Sequence, residues 1–221
     1  MAAPRVPRRA VRVIVEATPK RAFASALDWP GWCRGARDER AALDQLADHA
    51  ARYAVVAQAA GLAFGVGEFA VIERLPGSAT TDFGAPATPA AAEAEPLSAA
   101  GARRLEALIS AAWAAFDEVV ASAPPSLRKG PRGGGRDRDA MAGHVLAAEN
   151  AYARKLGVRV PEPHVGEAAA IGAQRKAVLA GLRAGLRAPA DSRGWLPRYA
   201  ARRIAWHVLD HAWEMENRTD R

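Results

Sequence analysis

The stretch that decides the predicted fold is Ile204-Ala-Trp-His-Val-Leu-Asp-His-Ala-Trp-Glu-Met-Glu216. At about 100° per residue, a helix through this stretch is apolar on nearly all sides. Its charged residues form one narrow stripe, which consists of Arg203, Asp210 and Glu214. A helix of this kind is typical of the centre of a fold, where it is buried from more than one direction.

Two histidines, His207 and His211, stand four residues apart and therefore share one face of that helix. They need partners, because an unpaired polar group in a core costs about 1–3 kcal/mol. Hydrogen bonds to the nearby carboxylates of Asp210 and Glu214 would satisfy them. A metal ion would also do so, since His-x-x-x-His on a helix presents two imidazoles to one ion. The stretch alone leaves both interpretations open.

Apolar residues at helical spacing predict three further helices before this one. The four predicted helices cover residues 98–122, 139–156, 166–187 and 197–216. Ser98 and Asp139 suit N-caps, and Pro197 suits the first turn of a helix. Four helices of similar length with matching apolar stripes predict a four-helix bundle.

The second of these helices contributes a third histidine, His144, which is surrounded by alanines. Small residues around an imidazole leave room for a facing helix or for an ion. A bundle with one histidine on its second helix and His-x-x-x-His on its last resembles the DinB-like (YfiT-like) superfamily. The resemblance covers residues 97–217, with His144, His207 and His211 at the matching positions.

This resemblance implies a divalent metal, zinc or nickel, held by the three histidines. Some members are similar to thiol-dependent S-transferases or maleylpyruvate isomerases, which implies a low-molecular-weight thiol as a second cofactor. Three neutral imidazoles leave an open position on a zinc ion for water or a thiolate. S-transfer and hydrolysis are therefore both open.

Other residues of the predicted bundle are candidates for supporting roles. Asp210 and Glu214 are candidates to orient the imidazoles of the metal ligands. The candidates for contact with an anionic substrate are Tyr199, Arg202 and Arg203. His164 is a weaker candidate for either role, whereas His49 is expected at the surface and Cys33 in a structural position.

The first part of the chain predicts a small α+β unit. Residues 10–16 and 21–27 alternate in hydrophobicity, which indicates a β-hairpin, and residues 68–75 indicate a further strand. Residues 38–59 have helical spacing. Between them lies a bend, Asp28-Trp-Pro-Gly-Trp-Cys-Arg-Gly35, for which a structural turn is the favoured interpretation.

That bend and the helix after it resemble the HicB-like fold over residues 10–75. In this family a hairpin leads through an Asp-x-Pro-Gly-Cys type of bend into a helix that begins with acidic residues. Residues 76–96 are rich in Pro, Ala and Thr, which is the composition of a linker. The predicted organisation is therefore a HicB-like α+β domain (1–75), a linker (76–96) and a DinB-like four-helix bundle (97–221).

The net charge of +7 is concentrated in two segments, residues 1–9 and 128–139. Both lie outside regular elements, which indicates a solvated tail and loop rather than a nucleic-acid interface. A single cysteine predicts a reducing cytoplasm. No apolar run is long enough for a membrane span, and no secretory signal is expected. The predicted partner is a small-molecule substrate, and a homodimer is an open alternative.

The leading hypothesis is a metal-dependent enzyme in which a three-histidine site activates a thiol or water. The alternative is a non-catalytic interaction protein with structural histidines. In that case the HicB-like unit and the basic loop would contact an acidic partner or nucleic acid. The metal content of the purified protein distinguishes the two hypotheses.

Overall fold

In the computed structural model, which describes residues 10–130, 134–186 and 194–219, the first part of this α+β protein forms a four-stranded mixed sheet. Its strands are β1 (Val11–Ala17), β2 (Ala22–Ala26), β3 (Cys33–Ala36) and β4 (Phe69–Pro76). β1 and β2 form the predicted antiparallel hairpin. β3 pairs antiparallel with β2, and β4 pairs parallel with β1, so that the order across the sheet is β3-β2-β1-β4.

The single helix predicted over residues 38–59 is wrong in one respect, because the structure has two helices there. They are α1 (Glu39–Asp48) and α2 (Ala50–Ala59), which meet at His49. Asp38 caps α1 by accepting a hydrogen bond from the amide of Ala41 at 2.8 Å. The break at His49 changes the direction of the chain, since α1 contacts β2 and β3 whereas α2 contacts a later helix.

The bend between β2 and α1 contributes a buried aromatic side chain to the core that contains the sheet. Trp32 is fully buried and donates a hydrogen bond from Nε1 to the carbonyl oxygen of Leu46 at 2.8 Å. The ring of Tyr53 stacks on that indole, and its hydroxyl donates to the carbonyl oxygen of Pro30 at 2.9 Å. These contacts support the interpretation of the bend as a structural turn.

We expect Gly31→Ala to lower the free energy of unfolding by about 1–3 kcal/mol. Gly31 has a φ of +95°, which strains any other residue. An added Cβ would also lie 2.6 Å from Cδ1 of Leu209 and 3.2 Å from Cβ of Ala205. Denaturant unfolding measures the loss, and Gly61→Ala is the matched control. Gly61 also has a positive φ, but no described atom lies within 4 Å of the position that an added Cβ would take there, so equal losses would argue against the contact with Leu209.

The rest of the chain is mostly helical. A short helix, α3 (Ala79–Phe83), and a 3-10 turn (Ala91–Ala94) precede four long helices. The long helices are α4 (Ala99–Ser122), α5 (Arg138–Lys155), α6 (Ala168–Gly185) and α7 (Pro197–Arg218). All four positions were predicted from the sequence. Ser98 caps α4 and Pro197 opens α7, as expected, whereas the N-cap position of α5 is Asp137 rather than Asp139.

Helix α7 is buried along most of its length and contacts α4, α5 and α6. One face contributes Ala205, Leu209 and Trp213 to the core that contains the sheet. Another face contributes Ile204, Val208 and Met215 to the core between the long helices. The prediction of a central helix is confirmed, and the two cores share this element.

Residues 76–96 were predicted as a linker, but the structure builds them into the fold. The buried carboxylate of Glu16 on β1 accepts hydrogen bonds from the hydroxyl of Thr81 and from the amides of Ala87 and Thr88. Buried polar contacts, rather than apolar packing, hold this segment in place. The composition of this segment did not predict these contacts, because a Pro/Ala-rich segment with few large apolar residues has the pattern of a spacer.

None of the helices in the described ranges has both the length and the apolar character that a membrane crossing requires.

Candidate metal centre

Three histidines from two helices converge beside the core between the long helices, where His207 is buried and His144 and His211 are partly buried. His144 comes from α5, and His207 and His211 come from successive turns of α7. The three ring centroids are separated by 4.6, 5.0 and 5.1 Å. One nitrogen from each ring lies within 4.8 Å of the others. The structure thus brings together the three histidines that the sequence selected.

The spacing of two of these nitrogens suits a tetrahedral metal ion. Nε2 of His144 lies 3.2 Å from Nε2 of His207. Zinc–nitrogen bonds of about 2.0–2.1 Å in tetrahedral geometry place two ligand nitrogens about 3.3 Å apart. The same 3.2 Å distance also fits a hydrogen bond between two neutral imidazoles. The distance therefore permits an ion without requiring one.

The carboxylate of Glu214 determines the tautomer of His211. Its Oε2 lies 3.1 Å from Nδ1 of His211, and its Oε1 accepts a hydrogen bond from Nη1 of Arg218 at 2.9 Å. Since an ionised carboxylate only accepts, Nδ1 of His211 carries a hydrogen, and in the neutral ring the Nε2 lone pair is then free for an ion. The hydrogen bond from His211 also lowers the pKa of Glu214. Carboxylate support of this kind is typical of metal-bound histidines.

The second candidate for orienting the imidazoles, Asp210, has a different partner. Its carboxylate accepts a hydrogen bond from Nη1 of Arg34 on β3 at 3.0 Å. It therefore joins α7 to the sheet, and its role in orienting the imidazoles stays a prediction. Arg218, which holds Glu214 from the next turn of α7, was missed. The i,i+4 spacing of the two residues was the available signal.

Burial favours the neutral form of two of the three imidazoles, His144 and His207. Burial, followed by the charges of the other two histidines and Arg203, places the pKa of His207 well below its usual value. Burial also lowers the pKa of His144, and Arg136 adds to the effect. Neutral imidazole is the form that binds metals, so His144 and His207 would release few protons on binding an ion at neutral pH.

The Nδ1 atom of His207 is buried and has no hydrogen-bond partner in the described parts of the chain. Two neutral tautomers are available to this ring. With the hydrogen on Nε2, His207 donates to His144 and needs no ion. With the hydrogen on Nδ1, the Nε2 lone pair points toward His144 and is free to bind one. The first arrangement belongs to a structural pair and the second to a metal site.

The side chains of Arg203, Trp206 and Tyr152 lie beside the histidines. The guanidinium of Arg203 lies 4.8 Å from the ring centroid of Trp206 and 5.4 Å from that of Tyr152. Its Nη2 donates to the hydroxyl of Tyr152 at 3.1 Å, and the Tyr152 ring is 5.8 Å from the ring of His207. Of the three candidates for substrate contact, Arg203 is therefore the one next to the histidines.

The other two candidates, Tyr199 and Arg202, contact residues 76–96 instead. The hydroxyl of Tyr199 donates to the carbonyl oxygen of Ala87 at 2.7 Å. Arg202 is buried and forms a bidentate pair with Glu93. Both side chains hold residues 76–96 against α7, and their contact with a substrate stays a prediction.

The remaining candidates lie outside the cluster. Cys33 is buried in β3, where its sulfur accepts a hydrogen bond from the hydroxyl of Ser25 at 3.0 Å. Burial raises the pKa of its thiol to about 11, which makes it a poor nucleophile. His164 lies in an exposed loop, and the half-buried His49 packs against the ring of Trp213 at 5.8 Å.

The basic loop before α5 is attached to the end of α7. The amide of Arg128 donates to the carbonyl oxygen of Arg218 at 2.9 Å, and Nε of Arg218 donates to the carbonyl oxygen of Arg128 at 2.7 Å. This brings the described part of the loop close to the histidines. The prediction of a solvated loop and tail falls partly on residues 1–9 and 131–133, which lie outside the described residues.

Comparison with protein-family models, curated proteins and solved structures finds no match to this chain. The geometry of the three histidines is therefore the observation on which a functional assignment rests. The resemblances to DinB-like and HicB-like proteins stay predictions.

Proposed function

We propose that the protein is a metal-dependent enzyme of the DinB-like type. In this proposal α4 to α7 form a four-helix bundle, and His144, His207 and His211 bind one zinc or nickel ion. The sheet and its helices form a HicB-like unit, and the protein acts on a small molecule in the cytoplasm. The observation that carries the proposal is the convergence of three imidazoles from two helices, one of them held by a carboxylate.

A divalent ion at these ligands supplies an open position that lowers the pKa of a bound water or thiol. Glu214 keeps the hydrogen of His211 on Nδ1, and Arg218 keeps Glu214 in place. Arg203 contributes a positive charge beside His207, which suits an anionic substrate. These side chains bind and orient, and none of them attacks the substrate.

The nucleophile in this proposal comes from solution. The only cysteine, Cys33, is buried in β3 with a raised pKa, and it packs with residues on another side of α7. A low-molecular-weight thiol or a water then takes the open position on the ion. The DinB-like resemblance favours the thiol and therefore S-transfer, while water would give hydrolysis.

Purified protein is expected to carry about one equivalent of zinc or nickel, and His207→Ala is expected to lose it. Removing one of three ligands leaves a two-histidine site that binds weakly. Elemental analysis after purification without chelators, followed by zinc titration of the apoprotein, measures both effects. The matched control is His164→Ala, which removes an exposed histidine and should keep the metal.

Cobalt-substituted protein extends the same experiment to the reaction class. A thiol that binds the ion should add a sulfur-to-metal charge-transfer band, which His207→Ala should not show. If no thiol changes the spectrum but a model ester is hydrolysed, the water nucleophile is correct. If the apoprotein binds no divalent metal, the enzyme proposal fails.

The alternative function is a non-catalytic interaction protein. The observation that favours it is the 3.2 Å separation of Nε2 of His144 and Nε2 of His207, which also fits a structural hydrogen bond. In this case the basic loop, together with the sheet unit, contacts an acidic partner or nucleic acid. The metal titration described above separates this function from the enzyme.

A further inference from the structure

A cleft lies on the opposite side of α7 from the histidines. It has a volume of about 530 Å³ and is bounded by the start of β1, the bend after β2, the first turns of α4 and the start of α7. Arg198 in this cleft and His207 are nine residues apart. At about 100° and 1.5 Å per residue, they lie on opposite faces of α7 and about 13 Å apart along its axis.

Three arginines from three different elements line this cleft. They are Arg12 of β1, Arg104 of α4 and Arg198 of α7. Arg12 forms a bidentate pair with Asp28, at 2.7 and 2.9 Å. Arg198 is buried and lies 3.5 Å from the carboxylate of Glu95 and 3.6 Å from that of Asp28. The carboxylates of Asp28 and Glu95 thus pair with two of the three guanidiniums, those of Arg12 and Arg198.

Arg104 is the guanidinium without a carboxylate. Among the described residues, no carboxylate oxygen lies within ion-pair distance of it. Its Nη1 donates to the backbone carbonyl of Asp28, and its guanidinium lies 4.1 Å from the ring centroid of Trp29. The group is about half buried, and burial lowers its pKa. An excess positive charge therefore faces the cleft from a fixed position.

The contact with Trp29 accounts for the position of the Arg104 guanidinium, but not for the open space beside it. The remaining lining is apolar and includes Leu27, Pro30, Leu97 and Leu105. Concave sites of several hundred cubic ångströms, mostly apolar and with a few fixed polar groups, are typical of small-molecule binding sites. Guanidinium groups pair with carboxylates and phosphates through two parallel hydrogen bonds.

We propose that this cleft binds a small organic anion. Its charged group, a carboxylate or a phosphate ester, pairs with Arg104, and its apolar body lies against Leu97 and Leu105. The proposal is independent of the metal site, because it uses different residues on the other face of α7. It gives the protein a second ligand site in addition to the three histidines.

The test uses three probes of similar shape, namely benzoate, phenyl phosphate and the uncharged benzyl alcohol. Binding is followed through the indole N–H signal of Trp29 in a nitrogen–proton correlation spectrum. Benzoate or phenyl phosphate is expected to shift this signal, and the stronger of the two identifies the anion class. Arg104→Met, which keeps an apolar stem on the indole, should weaken anion binding about tenfold or more and leave benzyl alcohol unchanged.

Three control variants keep the result interpretable. Arg104→Lys retains the charge and should bind the anion more tightly than Arg104→Met, and Arg74→Met removes an exposed arginine outside the cleft without effect on binding. His207→Ala should bind the anion normally, which separates this site from the metal proposal. Anion binding that survives Arg104→Met at full strength, or no shift with either anion, would overturn the proposal.

Discussion

Glu93→Ala is expected to lower the free energy of unfolding by about 3–5 kcal/mol, because it leaves a buried arginine without its counter-ion. Oε1 of Glu93 accepts from Nε of Arg202 at 2.6 Å, and Oε2 accepts from Nη2 at 3.0 Å. Both residues are buried, at 2% and 3% exposure. Oε2 also accepts from the amide of Ala90 at 2.8 Å, so one substitution removes three hydrogen bonds.

Chemical denaturation measures this loss, and an exposed pair of the same kind provides the control. Glu39 and Arg74 form a bidentate pair at the surface, so Glu39→Ala should change the unfolding midpoint little. Combining Glu93→Ala with Arg202→Met should restore part of the stability, since no charge then remains buried. A loss from Glu93→Ala no larger than that of the control would mean that this pair does not hold residues 76–96.

The second large effect is a pH dependence of stability that comes from Glu149 on α5. This carboxyl group is 1% exposed and accepts a hydrogen bond from Nε1 of Trp113 at 2.6 Å. Nε of Arg175 lies 3.7 Å away, but Arg175 is also paired with Asp117 through two hydrogen bonds. Burial outweighs these contacts and raises the pKa of Glu149 to about 7.

A buried carboxyl group with a raised pKa makes the folded protein more stable at low pH than at high pH. Between pH 4.5, the usual value for glutamate, and about pH 7, the folded state holds a proton that the unfolded state has released. The contribution of Glu149 to the free energy of unfolding is therefore fully present below pH 4.5. It decreases as the pH rises and is lost above about pH 7. The total change is about 3 kcal/mol, at about 1.36 kcal/mol per pKa unit.

Glu149→Gln isolates this effect, because glutamine has the shape of the protonated acid and can still accept from Trp113. The two proteins should be similarly stable near pH 4.5, and the variant should be more stable by about 3 kcal/mol above pH 7. Other carboxylates, such as Glu214, contribute equally to both proteins and cancel. A difference in stability that stays constant from about pH 4.5 to about pH 8 would contradict the raised pKa.

The long helices could be predicted from sequence because their signals are local. Helical spacing, the cap at Ser98 and the proline that opens α7 each depend on neighbours within a few residues. The pairing of His207 with His211 is local in the same way. His144 lies 63 residues from His207, and its place in the cluster came from the resemblance to a family rather than from spacing.

The errors concern contacts between distant residues. Arg202 and Glu93 are 109 residues apart, and Arg34 and Asp210 are 176 apart, so nothing in either neighbourhood reveals the pair. The same limit explains why β3 was not predicted as a strand. Its four residues lack apolar alternation and form a strand through pairing with β2. The partners of such charged residues therefore cannot be identified from the sequence.

The position of α7 has a consequence for synthesis on the ribosome. The sheet core is completed by Ala205, Leu209 and Trp213, which are made roughly 130 residues after β4 ends. Until then the apolar face that meets α7 lacks its cover. The nascent chain is therefore most prone to aggregation while α4, α5 and α6 are being made, and a chaperone that protects it should act in that interval.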